Sequence, residues 1–390
     1  NTRVCGRGIV RSDGVLINAI VRPDLRRHQV VVALNTASDR PIELRIGDTG
    51  YEMLQPPGEA RIDVGELPAW TPEAPALSEL RVTTVGDSGA VERIPFGFRE
   101  VSVQEDRFFL NLRPLYIKGA DIDASGTPRE TVSWLKSAGF NALRINTFPP
   151  GPLLTAADES GMLVFARADG EISPFASPPA AELVETLNHP SLAAWTVSTL
   201  SAAERVRAVD PSRPIIVGDG SGQCLRPYRK DAARFEELSV PVIASADPVL
   251  FRLAENIGAE GAMTFVRLGE WGRVSGAVRQ DVFDAWLAGA VALIQRVRLN
   301  ASLSGYFLSL GSLIDSAGGR SERAAELLAR ANGDLVPVIR IRRINLGVRE
   351  ETPVEVALIN AARFEGRAEL VLHVAGPTNQ TLWKKKRAVK

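Results

Sequence analysis

The chain has 390 residues, and its 46 Lys and Arg balance its 46 Asp and Glu, so the formal net charge is zero. Such a balance gives no indication of nucleic acid or an anionic membrane as a partner. Hydrophobic residues make up 45% and charged residues 24%, as in ordinary globular proteins, and the length exceeds that of one typical domain.

The apolar runs of the sequence are short. The longest, AWLAGAVALI at 285–294, has about half of the roughly 18–20 residues that a membrane helix needs. The chain begins with Asn1 rather than Met, which leaves open a removed leader or a trimmed start. Cys5 and Cys224 are too few for a disulfide framework; they either pair or stay buried thiols, and we expect thiols.

Residues 14–101 have the pattern of β-structure. Short alternating or β-branched runs are separated by turns rich in Pro, Asp, Gly and Ser. The runs are LINAIV, QVVVALN, IELRIG, ARIDVG and ELRVTTV. This spacing predicts a small antiparallel sandwich over 14–102, preceded by a remnant strand or linker at 1–13.

From residue 103 strands alternate with helices. FFLNLRPLYIKGAD predicts a hairpin that leads into a strand, and about eight strand–helix cycles follow. In this cycle ARFEELS, at 233–239, is predicted as a helix before the strand VPVIASA. The pattern predicts a (β/α)8 barrel over 103–330. Functional side chains in such barrels follow the strand ends, which here carry Asp121, Asn146, Thr147, Arg167, Ser198, Thr199, Asp219, Asp247 and Glu270.

The remainder, 331–390, returns to β-type runs and predicts a C-terminal β-sandwich that ends or breaks at 390. Its last residues, WKKKRAVK, are expected to be a solvated tail. The predicted fold class is therefore multidomain, β plus α/β.

Seven motifs together resemble family 2 glycoside hydrolases, which include β-galactosidases, β-glucuronidases and β-mannosidases. In order they are WTPEAPALSEL, FGFREV, FFLNLRPLYIKGAD, LKSAGFNALRI, DESGMLV, NHPSLAAW and DPSRPI, spread over 70–215. The resemblance extends over roughly 8–375. It implies an immunoglobulin-like sandwich followed by the barrel, with the family's N-terminal jelly roll missing.

The resemblance also implies a pair of carboxylates, about 5–5.5 Å apart in a retaining glycosidase. The family's acid/base is the Glu of an Asn-Glu pair after the NHPS motif. Aligned on that motif, Thr199 holds the Asn position and Leu200 the acid/base position. Leucine cannot transfer a proton, so the sequence predicts a degenerate site.

The nucleophile position falls on Glu270 in FVRLGEWG; the alternative is a surface Glu in a turn. Candidate binding residues are Arg144, Trp271 and Tyr306. Arg144 either matches the Arg that lies under the nucleophile in the family or serves the barrel floor. The Glu expected near the end of the third strand is replaced within FARAD. Three scattered histidines make a metal site unexpected, and no cofactor is predicted.

Three hypotheses follow for function. The first is a non-catalytic protein, a structural or interaction subunit of a larger, extracytoplasmic (periplasmic or secreted) assembly of other proteins. The second is a carbohydrate-binding pseudoenzyme that uses Trp271 and Tyr306, with Trp195 expected in the barrel core. The third is a retaining β-glycosidase with Glu270 as nucleophile and a displaced acid. Substitute acids are Glu204, Asp219 and Asp247.

Two further groups are predicted to serve architecture. Large apolar and charged residues are expected where the sandwich meets the barrel, namely Trp70, Phe96, Phe98, Arg99 and Glu100. His189 is expected to cap or pack its loop.

Overall fold

A computed structural model describes most of the chain. The described residues are 9–12, 15–36, 40–48, 50–55, 57–86, 91–104, 107–123, 126–168, 181–217, 234–240, 262–268, 280–300, 303–311, 321–341, 354–361, 368–375 and 381–389. The chain divides into two compact units, Asn1–Asn332 and Gly333–Lys390.

The first unit begins with two four-stranded antiparallel sheets, ordered β1-β2-β3-β6 and β5-β4-β7-β8. Their strands are β1 Ile9–Ser12, β2 Val15–Asp24, β3 Gln29–Thr36, β4 Ile42–Ile46, β5 Gly50–Leu54, β6 Gly58–Asp63, β7 Ser78–Thr84 and β8 Val91–Phe96. Alternate side chains point inward, so Val30 and Val32 of one sheet share a core with Leu44 and Val82 of the other. The two sheets thus share one core, and β5 and β8 are strands that the sequence pattern does not predict.

A small sheet follows, made of β9 Val101–Gln104, β10 Arg107–Leu110 and β11 Arg113–Pro114. The ring centroid of Phe108 in this sheet lies 5.8 Å from that of Phe165, and the Phe165 and Phe307 ring centroids are 5.2 Å apart. The predicted hairpin therefore packs its aromatic side chain into one face of the sheet that comes next.

Eight parallel strands form the main sheet, in the order β16-β15-β14-β13-β12-β19-β18-β17. They are β12 Ile117–Ile122, β13 Ala142–Ile145, β14 Leu163–Arg167, β15 Leu192–Val197, β16 Ile215–Val217, β17 Arg234–Val240, β18 Ala262–Leu268 and β19 Leu303–Gly311. The first and last strands are neighbours and every other neighbour is consecutive in the chain, which is the strand order of a (β/α)8 barrel. The fold is multidomain, β plus α/β.

Helices cover one side of this sheet. The described helices are α1 Pro128–Ser137, α2 Gly151–Ser160, α3 Ala181–Leu187, α4 Leu200–Val209, α5 Gln280–Val297 and α6 Glu322–Asn332. Ile145 and Val164 pack on the helix-facing side, whereas Ala142, Phe165 and Phe307 share the opposite, inner face with the small sheet. Both faces are buried, as is usual for a parallel sheet.

Helix α2 ends at Gly161, as its sequence predicts. Gly161 has a left-handed φ of +70°, and its N–H donates to the Ala157 carbonyl. A Cβ there would lie 2.4 Å from the Pro72 carbonyl oxygen. Glycine is therefore required both by the helix end and by the close approach of the WTPEAP segment.

Two predictions are wrong. Of the segment 233–239, predicted as a helix, residues 234–239 lie in strand β17, which pairs in parallel with β18 along its whole length. Ladder hydrogen bonds there outweigh the helical propensity of a short Glu- and Leu-containing run. The basic C-terminal segment is a strand, β23 Thr381–Val389, instead of a tail. The predicted strand VPVIASA lies almost wholly outside the described residues.

The second unit contains two antiparallel pairs. Strand β20 Leu335–Ile341 pairs with β21 Val354–Asn360, and β22 Ala368–Ala375 pairs with β23. In β20 the side chains alternate: Val336 and Val338 are buried, whereas Leu335 and Ile339 are exposed.

Candidate functional site

The inner face of the parallel sheet carries an ion pair between neighbouring strands. Asp121 of β12 stands opposite Arg144 of β13. The Arg144 Nε and Nη2 donate to the two Asp121 carboxylate oxygens at 2.5 and 2.7 Å, and the guanidinium carbon lies 4.5 Å from the Phe307 ring centroid. About a tenth of each side chain is exposed (11% and 9%). Arg144 is thus paired with a carboxylate on the inner face of the sheet.

The segment predicted to have lost its acid forms a helix start. Strand β15 ends at Val197, and α4 begins at Leu200. The Thr199 Oγ1 accepts a hydrogen bond from the Ala202 N–H at 3.1 Å, which is the ordinary work of an N-cap threonine. Leu200 is the first helical residue and is 45% exposed.

The neighbouring strand end carries a cation. Arg167, the last residue of β14, donates through Nη2 to the Ser198 Oγ. The side chains at these two strand ends are thus one guanidinium, two hydroxyls and one aliphatic group, from Arg167, Ser198, Thr199 and Leu200. None of these four groups can act as a general acid near neutral pH.

Several candidates stay predictions because they lie outside the described residues. These are Glu270, Trp271, Asp219, Asp247, Cys5 and Cys224. Strand β18, which precedes Glu270, ends at Leu268 within the parallel sheet. Glu204 lies exposed on α4, and Asn146 and Thr147 are exposed after β13.

Tyr306 and Trp195 lie on the helix-facing side of the sheet. Tyr306 is completely buried, and its hydroxyl donates to the Asn332 Oδ1. Burial raises the pKa of Tyr306 above its ordinary value. Trp195 is also completely buried; it stacks on Phe148 with ring centroids 6.0 Å apart. Trp195 therefore lies in the core, as predicted, and Tyr306 has no exposed surface with which to contact a sugar.

The NHPS motif joins the barrel region to the sandwich. The Asn188 carboxamide accepts from the Val21 N–H and donates to the Ala19 carbonyl, both at 2.8 Å. His189 is buried, and its Nδ1 lies 2.6 Å from the Asp158 Oδ2. The prediction that His189 packs its loop is confirmed.

Residues of the FGFRE and WTPEAP motifs complete this seam, by which we mean the contact of β2 and residues 96–101 with the loop 188–192. The Arg99 guanidinium donates to the Pro190 and Leu192 carbonyls at 2.7 and 2.5 Å. The Trp70 Nε1 donates to the Asp158 carbonyl at 3.0 Å. Trp70, Phe96, Phe98 and Arg99 are buried, as predicted for this seam. The prediction of a paired charge is wrong for Arg99 within the described residues, because its partners are backbone carbonyls.

The DPSRP motif supplies a buried ion pair that sequence reasoning did not identify. Arg213 Nη1 lies 2.9 Å from the Asp210 Oδ2, which also accepts from the Trp195 indole at 2.8 Å. Burial acts to raise the pKa of Asp210, but the Arg213 charge and hydrogen bonds from Ser212, Trp195 and Arg213 outweigh it and hold the pKa below the usual range. The spacing Asp-x-Ser-Arg was the available signal.

Among the described residues, no group of three or more His, Cys, Asp and Glu side chains could hold a metal ion. In the same part of the chain, none of the helices combines the length and apolar character that a membrane crossing requires.

Comparison with known proteins finds sequence relatives that include two β-galactosidases. A β-galactosidase of Arthrobacter sp. (strain B7) is 27% identical over 148 residues, covering 35% of this chain and 14% of the relative. The β-galactosidase 2 of Enterobacter cloacae is 28% identical over 184 residues, covering 37% of this chain and 18% of the relative. The chain thus spans less than a fifth of the length of these relatives. No protein-family model matches the chain.

Solved structures extend the similarity. A family 2 β-galacturonidase from Eisenbergiella tayi, solved with glycerol, matches with a TM-score of 0.55 and 18% identity over 80% of this chain and 70% of that one. A β-glucuronidase from Ruminococcus gnavus, solved with an N1-substituted uronic isofagomine, matches with a TM-score of 0.55 and 16% identity. This match covers 74% of this chain and 60% of the glucuronidase chain. The chain has a family 2 glycoside hydrolase-like fold, and the resemblance that the motifs predict is confirmed at that level.

Proposed function

We propose that this protein is a non-catalytic relative of family 2 glycoside hydrolases. The observation that carries the proposal is the local structure at the acid/base position. Leu200 is the exposed first residue of α4, and the Thr199 hydroxyl caps that helix. The segment is therefore occupied by a regular strand-to-helix connection that presents no proton donor.

The charges nearby support the same proposal. Asp121 is engaged by Arg144 through two hydrogen bonds, so it is held as a structural carboxylate. Arg167 occupies the strand end for which the resemblance implies a glutamate. Loss of a general acid removes roughly 10²–10⁴-fold of rate, and a reversed charge nearby would further disturb a site built on two carboxylates.

In this proposal the scaffold is an immunoglobulin-like sandwich, a (β/α)8 barrel and a C-terminal sandwich. The buried seam between the first two supports a role for the fold itself. The protein would serve as a structural or interaction subunit of a larger, extracytoplasmic assembly. Purification under native conditions, followed by mass measurement of intact complexes, would test the assembly part of the proposal.

Hydrolysis of activated aryl β-glycosides tests the catalytic part. The panel includes galactosides, glucuronides and galacturonides, because the relatives and structural neighbours carry those names. Activated leaving groups need little acid assistance, so a surviving nucleophile would release a burst of phenol. We expect no burst from the wild-type protein.

Two variants make the result decisive. Leu200→Glu restores a carboxylate at the acid/base position, at an exposed helix N-terminus that favours a negative charge. Glu270→Gln removes the candidate nucleophile. We expect the wild-type protein and both variants to be equally inactive. A wild-type burst that Glu270→Gln abolishes would overturn the proposal and establish the glycosidase alternative.

A further inference from the structure

The seam contains a cavity of about 70 Å³ between the sandwich and the parallel-sheet region. Its lining includes three arginines and two carboxylates, namely Arg22, Arg99, Arg213, Glu100 and Asp210. By the requirement of about 10–15 Å³ per water, the cavity has room for several waters or for one small oxyanion.

Arg99 is the central group of this cavity. Arg99 is only 8% exposed, and two of its N–H groups donate to the Pro190 and Leu192 carbonyls. A guanidinium has five N–H donors. Three of them have no acceptor in the part of the chain that the structure describes, and no described carboxylate lies within ion-pair distance. Arg99 lines the cavity, and none of its nitrogens is among the fully buried polar atoms without a partner, so the remaining donors are open to a solute or water in this space.

The other lining charges do not supply that partner. Asp210 is engaged by Arg213 at 2.9 Å and by the Ser212 hydroxyl at 2.6 Å. Glu100 forms no ion pair within the described structure. Burial and the nearby Arg213 lower the pKa of Arg99 to about 9, and the opposing charges of Asp210 and Asp158 only partly offset this lowering.

A second arginine faces the same space from the sandwich. Arg22 lies two residues after Ile20 in β2, and Ile20 packs against the core beneath the parallel sheet. Side chains two apart share a face of a strand, so Arg22 is on the seam side. Its side chain makes no hydrogen bond or ion pair with another described residue.

We infer that the seam cavity binds a small tetrahedral oxyanion of the phosphate class between Arg22 and Arg99. Arginines that approach from different elements suit an anion that accepts hydrogen bonds in several directions, whereas a planar carboxylate is satisfied by one guanidinium fork. The bound anion compensates Arg99 and links the sandwich strand to the loop that Arg99 holds. This site is separate from the proposed loss of catalysis and does not depend on it.

Calorimetric titration of the 390-residue protein with inorganic phosphate, at constant ionic strength in chloride, tests the inference. We expect one site per chain. Arg22→Gln should weaken binding by about tenfold or more, because a charge-assisted hydrogen bond is lost. The matched control is Arg26→Gln, which removes an exposed arginine four residues further along the chain and should leave the dissociation constant unchanged.

Glu100→Gln should change the phosphate affinity in the opposite direction to Arg22→Gln, and it leaves all the seam arginines in place. Removal of this carboxylate should tighten phosphate binding at least about twofold. Acetate should bind more weakly than phosphate in every variant. The inference is overturned if the wild-type protein binds no phosphate, if Arg22→Gln and Arg26→Gln bind equally, or if Glu100→Gln weakens binding.

Discussion

The carboxamide of Asn188 pairs with the backbone of Val21 as a neighbouring strand would. It accepts from the Val21 N–H and donates to the Ala19 carbonyl, each at 2.8 Å, and Asn188 is buried. One side chain thereby satisfies two backbone groups on β2.

Asn188→Ala is expected to lower the free energy of unfolding by about 2–4 kcal/mol, because each orphaned buried polar group costs about 1–3 kcal/mol. Chemical denaturation measures the change. Asn35→Ala, at an exposed position of β3, is the control and should change stability by less than about 0.5 kcal/mol. Equal effects of the two substitutions would contradict the role given to Asn188.

Asp210 makes the free energy of unfolding depend on pH in the acid range. Its pKa is below the ordinary value in the folded protein, so its contribution is present above the unfolded pKa of about 3.9 and is lost as pH falls toward the folded value. We expect the wild-type protein to lose more stability below about pH 4 than Asp210→Asn does. Denaturation curves between neutral pH and pH 3 provide the comparison.

The control for this acid limb is Glu204→Gln, since Glu204 is exposed on α4. Its curve should run parallel to that of the wild-type protein. At neutral pH, Asp210→Asn should be less stable by about 3–5 kcal/mol, because it leaves Arg213 as a buried charge without its partner. An Asp210→Asn curve that is parallel to the wild-type curve in acid would exclude this linkage.

Tyr306 should resist ionisation while the protein is folded, because burial raises its pKa. Its contribution to stability is therefore present below the unfolded pKa of about 10 and is lost only as pH rises toward the folded value. In an ultraviolet titration of the folded protein, Tyr306→Phe should leave the phenolate amplitude unchanged. In denaturant the same variant should lose one of the four tyrosine signals. A smaller amplitude in the folded state would show that Tyr306 is accessible.

The ion pair of Asp121 and Arg144 should be strongly coupled. A double-mutant cycle with Asp121→Ala and Arg144→Ala is expected to give a coupling energy above about 2 kcal/mol, since breaking a buried pair costs about 3–5 kcal/mol. The exposed pair Glu59 and Arg61, at 3.1 Å, is the matched control and should give less than about 1 kcal/mol. Similar energies for the two pairs would show that Asp121 and Arg144 are solvated.

The predictability of the fold from sequence depends on the kind of sheet. Alternation predicted most sandwich strands, because one face of each strand is polar. In the parallel sheet both faces are apolar, so LSGYFLSL could not reveal which side Tyr306 occupies. Strand β17 was mistaken for a helix because its identity depends on pairing with β18, a non-local contact.

The candidate site was predictable only where a residue acts locally. Thr199 as an N-cap and Gly161 as a helix end follow from their neighbours in the chain. Two of the motifs that carried the resemblance, in contrast, supply seam residues, Arg99 and Asn188, whose partners lie far away in sequence. Arg99 reaches carbonyls 91 and 93 residues further on, and no local pattern predicts which ones.

The span between Val21 and Asn188 also has a consequence for biosynthesis. The two are 167 residues apart, and the last sandwich strand, β8, ends at Phe96, so at about 5–20 residues per second a ribosome needs roughly five to twenty seconds to reach Asn188 after it completes the sandwich. During that interval the sandwich exists with the Val21 N–H and the Ala19 carbonyl still open to pairing. In the nascent sandwich these two backbone groups of β2 are then available to pair with a strand of another chain, and the rate of translation sets how long they stay exposed.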